Sequence, residues 1–344
     1  MIFDPILDIF RGKAVTIPPL DGAFRANTAL DEAAVVAHLP AADNLCKAGG
    51  RLLATSGARL YAVRDGAPPD LVETFPAEIT AVAAAPEGTL AVALDDGTLI
   101  EGGRPAELPK GVSCITALAY GSDGSLWLAN GSDRHPASGW AADLMEKNAN
   151  GSVWYRRKGE GFKGIAKGLE WPYGILPTGE AALVSECWRH RLVRVGLDGV
   201  DPLLTHLPGY PARISPAADG GAWLSIFAPR NRLIELVLQE TLYRHDMMAE
   251  VPREFWIAPA LSSGRSFLEP LQCGGIRTMG VHKAWAPSTS FGLVAKLDAN
   301  FLPVFSLHSR ANGIRHGTTS AIEADGRLLV ASKGGDGILA PEVT

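Results

Sequence analysis

The chain has 344 residues, of which 47% are hydrophobic and 20% charged, with a formal net charge of -5. That share of apolar side chain supports a large core and excludes a disordered polymer. The acidic balance and the scatter of Lys and Arg exclude a nucleic-acid surface, which needs grouped cations to neutralise phosphates.

Residues 1–33 read as an N-terminal extension. Its start, MIFDPILDIFRGK, carries acids early and lacks a continuous apolar stretch, so it does not read as a secretion signal. No apolar run reaches the roughly 18 residues of a membrane-spanning helix. Cys46, Cys114, Cys187 and Cys273 lie far apart with no CxxC pair, which argues against a metal-binding or redox spacing. Free, partly buried thiols are expected, and with them a cytoplasmic location.

From residue 34 the chain repeats itself. Ala34 to Leu39 has the pattern of a strand with no partner nearby. Ile79 to Ala84 is followed by PEG and then Thr89 to Ala93. Ile115 to Tyr120, SDG and Ser125 to Ala129 repeat the pattern. So do Arg213 to Pro216, ADG and Ala222 to Ile226, and finally Thr319 to Ile322, EADG and Arg327 to Ala331. A tight hairpin needs positive φ, which glycine adopts without a Cβ clash.

Third strands are expected at Ala58 to Val63, Thr98 to Glu101, Ser152 to Tyr155, Arg191 to Val195, Gly292 to Leu297 and Gly337 to Leu339. Fourth strands fit at Leu71 to Phe75, Pro202 to Thr205 and Pro303 to Leu307. The units number six, and the last has no fourth strand of its own. Ala34 to Leu39 can supply it, closing a ring with no open edge. The expected fold is therefore all-β: one six-bladed β-propeller over residues 34–344.

Two units carry insertions, at about 130–151 and 227–291. GWAADLMEKN reads as a helix in the first. LIELVLQETLYRHDMM has helical spacing in the second, with Leu233, Leu236, Val237, Glu240 and Leu242 near one face. Both leave a blade after its second strand, so both are expected over the same mouth of the central channel, as helical lids. Trp140, Phe255, Trp256, Phe267 and Trp285 favour an ordered lid.

The middle of the chain carries a more specific signal. GLEWPYGILPTGEAALVSECWRHRLVRVGLDG, LPGYPARISPAADGGAWLSIFAPRN, LWLANGSDRHPASGWAADLMEKNANGSVW and TSAIEADGRLLVAS resemble blades three to six of the strictosidine-synthase-like and SMP-30/gluconolactonase superfamily. That resemblance covers roughly residues 40–340 without the 227–291 insertion. It implies a small-molecule site at the channel mouth and, in the lactonases, a calcium ion held by side-chain oxygens.

This chain departs from that ligand set. The first-blade carboxylate falls at Asp43 or Asn44, and the third-blade position at Thr116. The fourth-blade Asn is Tyr173, and the fifth-blade Asp is Ala212 with Arg213 beside it. These departures argue against the calcium site that the resemblance would bring, and no cofactor is expected. The synthase's catalytic Glu aligns with Thr319, which argues against strictosidine synthesis itself.

The remaining mouth candidates are Asp43, Asn44, Thr116, Tyr173, Arg213, His316, Thr318 and Thr319. Tyr173 and His316 are candidates for acid/base work. Arg213 can clamp an anionic substrate or pair with Asp43 across the channel. Glu186 and His190 in ECWRHR, and His135 in SDRHP, belong to loops of the same face. Ser132 and Ser185 lack the G-x-S-x-G context of a serine hydrolase.

Three readings stay open. The first is a hydrolase-type enzyme acting on a lactone, ester or similar activated group. The second is a metal-free condensing or lyase enzyme. The third is a non-catalytic binding or sensor propeller serving a transport or regulatory system. In each the partner is a small molecule, with neither nucleic acid nor membrane span involved.

Overall fold

The computed structural model describes residues 16–261, 290–310 and 314–343, with the backbone of 277–278 and 281–282. Six four-stranded antiparallel sheets are arranged around an axis. Blade one is Asp43–Ala48, Arg51–Ser56, Arg59–Val63 and Asp70–Thr74; blade two is Ile79–Ala84, Leu90–Leu94, Leu99–Glu101 and Arg104–Pro105. Blade three is Ile115–Tyr120, Leu126–Asn130, Gly151–Arg156 and Lys163–Leu169; blade four is Pro172–Pro177, Ala182–Glu186, Arg191–Gly196 and Gly199–Leu204. Blade five is Gly209–Pro216, Ala222–Pro229, Leu293–Leu297 and Pro303–His308.

Blade six closes the ring. Thr318–Ala324, Arg327–Ser332 and Gly337–Ala340 come from one end of the chain, and Ala34–His38 from the other. Ala34 lies opposite Ala340 and His38 opposite Gly337, so the expected closure is present. The expected hairpin turns form as well, with Gly88 at φ 92° and Gly124 at φ 77°. Two outer strands were not expected. Arg104–Pro105 is only two residues long, and Lys163–Leu169 is a mostly solvated strand with two glycines. Neither carries apolar alternation.

Apolar side chains fill the spaces between blades, so the core is distributed around the ring rather than central. Trp127 and Trp223 are nearly fully buried there. Trp223 donates its indole N–H to Glu323 Oε1 at 2.6 Å, which satisfies the one polar atom its burial would otherwise strand. Residues 16–33 are packed against the ring: Leu30 is buried between blades five and six, and the Asn27 amide donates to Ser306 O at 2.7 Å.

The inner strands share one irregularity. Each slips register near its entry, between 43 and 46, 79 and 81, 115 and 117, 172 and 174, 211 and 214, and 318 and 320. A bulge re-aims a side chain that pleating would send into the sheet packing. Gly174 marks how closely two inner strands approach at this level, because a Cβ there would sit 2.3 Å from Ala212 O.

Helix Trp140–Glu146 stands in the first insertion, and helices Arg232–Gln239 and Thr241–Glu250 in the second. The expected single amphipathic face in the second insertion does not form. The helix breaks at Glu240, and Leu236 and Leu242 are 41% and 80% exposed. Val237 is buried as expected, but Ile234 and Glu235 join it on the inner side, where Arg230 and His190 hold the Glu235 carboxylate. The two insertions meet through Leu144, Met145, Val237, Met247 and Ala258. Phe267 and Trp285 lie outside the described residues, as does Cys273. Cys46, Cys114 and Cys187 are free and buried. No described helix is long and apolar enough to cross a membrane.

Candidate functional site

The bulges and the lid together build a pocket of about 390 Å³ at one channel mouth. Its floor holds Asp43, Thr80, Thr116, Tyr173 and Arg213, all from inner-strand entries. Its walls are aromatic: Trp140 from the first insertion, Trp171 and Trp188 from blade four, and Phe227 from the end of blade five's second strand. Trp171 stacks on Trp188 with centroids 5.3 Å apart, and Trp188 lies 6.3 Å from Trp140. The Trp188 indole donates to Asp143 Oδ1 at 3.0 Å, which ties the blade to the lid helix. Pro259 and Leu261 complete the described rim.

One charged cluster lies on the floor. Arg213 Nη1 donates to Asp43 Oδ1 at 2.7 Å and to Thr319 O at 3.5 Å, and Nη2 donates to Thr80 O at 2.7 Å. The guanidinium carbon sits 5.1 Å from the centre of the Tyr173 ring. Lys333 Nζ approaches Asp43 Oδ2 at 3.3 Å and Glu78 Oε1 at 3.8 Å. Burial pushes the Asp43 carboxyl up, but Arg213 and Lys333 more than offset this and leave it below the usual carboxylate value. The Asp43 carboxylate raises the pKa of Lys333 against the opposing effect of burial. Burial raises the Tyr173 phenol and carries the Cys187 thiol well above its ordinary value. The floor therefore sets the Asp43 carboxylate against two cations and a protonated phenol, with Glu78 on the far side of Lys333.

The structure brings Asp43, Thr116, Tyr173 and Arg213 together, as the sequence suggested. Thr116 nevertheless points its hydroxyl at backbone, donating to Ala129 O at 3.3 Å and to Pro172 O. The other candidates do not line this pocket. Asn44 donates to Thr55 Oγ1 at 3.0 Å inside blade one. The Thr318 hydroxyl donates to Leu293 O at 2.7 Å, and Thr319 contributes its carbonyl to Arg213. His316 is 1% exposed and packs against Gly334, behind the rim.

The three loop candidates serve as struts. Glu186 is held between Arg189 at 2.8 Å and Arg191 at 2.5 Å. His190 sits 3.3 Å from Glu235 and 3.1 Å from Gly209 O, locking the second insertion to blade four. His135 pairs with Glu146 at 2.8 Å.

Sequence reasoning missed Lys333, Asp95 and Cys187. Each is the residue immediately after the second strand of its blade, Asp95 in blade two, Cys187 in blade four and Lys333 in blade six, and each lines the pocket. That common position was the available signal.

The floor does not fit a calcium ion. A hard cation needs several converging oxygens, and here Asp43 Oδ1, Thr80 O and Thr319 O already accept from one guanidinium. No three of the described His, Cys, Asp or Glu residues are grouped to hold a metal.

The chain is a six-bladed propeller that resembles gluconolactonase, regucalcin and strictosidine-synthase-like proteins. It is similar in fold to a gluconolactonase of Xanthomonas campestris, at 12% identity, covering 89% of this chain and 87% of that one, with a TM-score of 0.54. It is also similar to the calcium-binding protein regucalcin of Agrobacterium tumefaciens, at 14% identity over 92% and 94% of the two chains, TM-score 0.54. A stretch of 95 residues is 34% identical to the adipocyte plasma membrane-associated protein of Danio rerio, covering 25% of this chain and only 23% of that protein. No family model matches the sequence.

Proposed function

We propose that this propeller is a small-molecule enzyme of the hydrolase type, acting on a lactone or ester with an apolar body. The observation that carries the reading is the Asp43–Lys333 pair on the floor of an aromatic-walled pocket, 3.3 Å apart. The lactonase among the fold relatives supports the reaction class. Flat aromatic walls suit an apolar body and exclude bulk water, which strengthens every charge at the floor.

The chemistry follows from the charges. Lys333 stays protonated because Asp43 raises its pKa, and it can stabilise negative charge growing on a carbonyl oxygen. Asp43 is ionised and can orient an attacking water and take its proton, which returns to the Tyr173 phenolate once the alcohol has left. Its lowered pKa makes it a weak base, so Lys333 carries the larger share of the stabilisation. Tyr173 holds its proton at neutral pH and can give it to the departing alkoxide. His316, a candidate from sequence, is replaced in this scheme by Lys333.

The test is turnover of a panel of aromatic and aliphatic lactones and esters by wild type, Lys333→Met and Tyr173→Phe. Wild type should turn over at least one of them, and Lys333→Met should lose about a hundredfold in kcat, the usual cost of one oxyanion donor. A second reading, a binding or sensor propeller, is favoured by the double neutralisation of Asp43 by Arg213 and Lys333. Ligands that raise the melting temperature and quench Trp171 and Trp188 fluorescence, with no turnover of any panel member, would select that reading instead.

A further inference from the structure

We propose that Arg213 is the resident cation of the propeller axis, joining blades from within as a bound metal ion would. Three oxygens converge on its guanidinium, and each comes from a different blade: Asp43 Oδ1 from blade one, Thr80 O from blade two and Thr319 O from blade six. Arg213 itself belongs to blade five, and its stacking on Tyr173 adds blade four. Carboxylate and carbonyl oxygens from several chain segments make the environment that a hard cation selects. A planar guanidinium meets the same oxygens with directed N–H donors and carries a permanent charge.

Location supports the same role. The side chain of Arg213 is only 14% exposed although it stands on the axis of an open ring. It borders both the lidded pocket and a second chamber of about 570 Å³ opening on the opposite face of the disc. The guanidinium is therefore a septum across the channel, with both Nη groups committed to the protein. Of the two roles open from sequence, an anion clamp and an ion pair with Asp43, the geometry points to the second. Lys333 is left as the cation that faces the pocket. This inference does not depend on the hydrolase reading, because it concerns what holds the inner strands in place.

The experiment is chemical rescue followed by melting temperature. Arg213→Ala should melt several degrees below wild type. Low-millimolar methylguanidinium should raise its melting temperature saturably, by about 3 °C or more, since a ligand that binds only the folded state stabilises it by mass action. Sodium chloride at equal ionic strength should not, and wild type should show no rise with methylguanidinium. Arg213→Lys keeps the charge but lacks the fork, so it should melt between the two. If Arg213→Ala does not fold, the position of Arg213→Lys carries the test. Either variant melting as wild type does, or methylguanidinium shifting variant and wild type equally, would overturn the proposal. So would a saturable calcium-induced stabilisation of wild type that Asp43→Asn abolishes, because the axial oxygens would then be open to a metal with Arg213 in place.

Discussion

Two carboxylates in this molecule have nearly the same company and do different things. Glu186 lies between Arg189 and Arg191, and Asp43 lies between Arg213 and Lys333. Glu186 is fully buried, also accepts from the Glu170 amide at 2.8 Å, and both of its cations hold a loop in place. Asp43 has one cation bound to backbone carbonyls and another, Lys333, whose side chain is 28% exposed and faces a cavity. A carboxylate with two cations is therefore not a site by its composition. It becomes one where a member keeps a face toward space a ligand can enter.

That contrast can be broken from either side. Glu186→Ala strands Arg191 and the Glu170 amide at once, while Arg189 keeps Glu170 at 3.0 Å. It should cost about 3 to 4 kcal/mol, at the lower end for a broken buried pair because Arg189 is 36% exposed. Denaturant unfolding measures the loss, and ligand affinity at the mouth should be unchanged in the variant that still folds. A fall in affinity as large as that of a Lys333 variant would erase the distinction between strut and site.

His308 supplies a neutral limit, a buried titratable group without a countercharge. It is 1% exposed, stacks on Phe291, and burial lowers its pKa to about 4 from an ordinary 6.5. Between those values the unfolded chain binds a proton that the folded chain refuses. Stability is therefore full above about pH 6.5, falls as pH drops through the window, and levels off below about 4. The total is on the order of 3 kcal/mol for a shift of this size. Unfolding free energies measured from pH 7 to 4 should show that slope in wild type and lose it in His308→Phe. A slope unchanged by the substitution would place the acid sensitivity elsewhere.

The smallest effect is expected at Lys333. Lys333→Met should change folding stability by less than about 1 kcal/mol, since the ammonium is partly solvated. The same change should weaken a ligand bearing a carboxylate or polarised carbonyl by about thirtyfold, or about 2 kcal/mol. Titration of tryptophan fluorescence and a melting curve on one preparation give both numbers. Lost stability with unchanged affinity would make Asp43 a second strut.

The ring was legible because its signals are local and repeated. Glycine turns such as PEG and SDG, and apolar strands such as Leu126 to Ala129, recur with one period, and one orphan strand at Ala34 had one vacant edge to fill. The outer strand at 163–169 escaped because a solvated fourth strand needs no apolar face. The site was half legible. Asp43, Tyr173 and Arg213 stand at inner-strand entries, where a bulge follows from the repeat. In blade six, Lys333 follows the second strand and was missed, whereas His316 precedes the first strand and packs behind the rim although it was a candidate. Whether a loop side chain faces the cavity or packs behind it depends on backbone turns that composition does not encode. The inner side of the helix at 232–239 was half legible for a similar reason: Val237 was expected there, but the contact of His190 with Glu235 acts between segments distant in sequence.

The pairing of Ala34 with Ala340 also sets an order of events during synthesis. These partners are about three hundred residues apart, so the sheet they share cannot form until nearly the whole propeller has left the ribosome. Until then the Ala34–His38 strand has no partner, and the apolar faces of blades one and five that blade six covers stand open, surfaces prone to join those of another chain. Ring closure is a non-local step of high contact order, and it is expected to be slow beside the hairpins that precede it. Dependence on chaperones in the cell should therefore peak just before residues 337–340 emerge, at a moment fixed by where the closing strand lies in the chain.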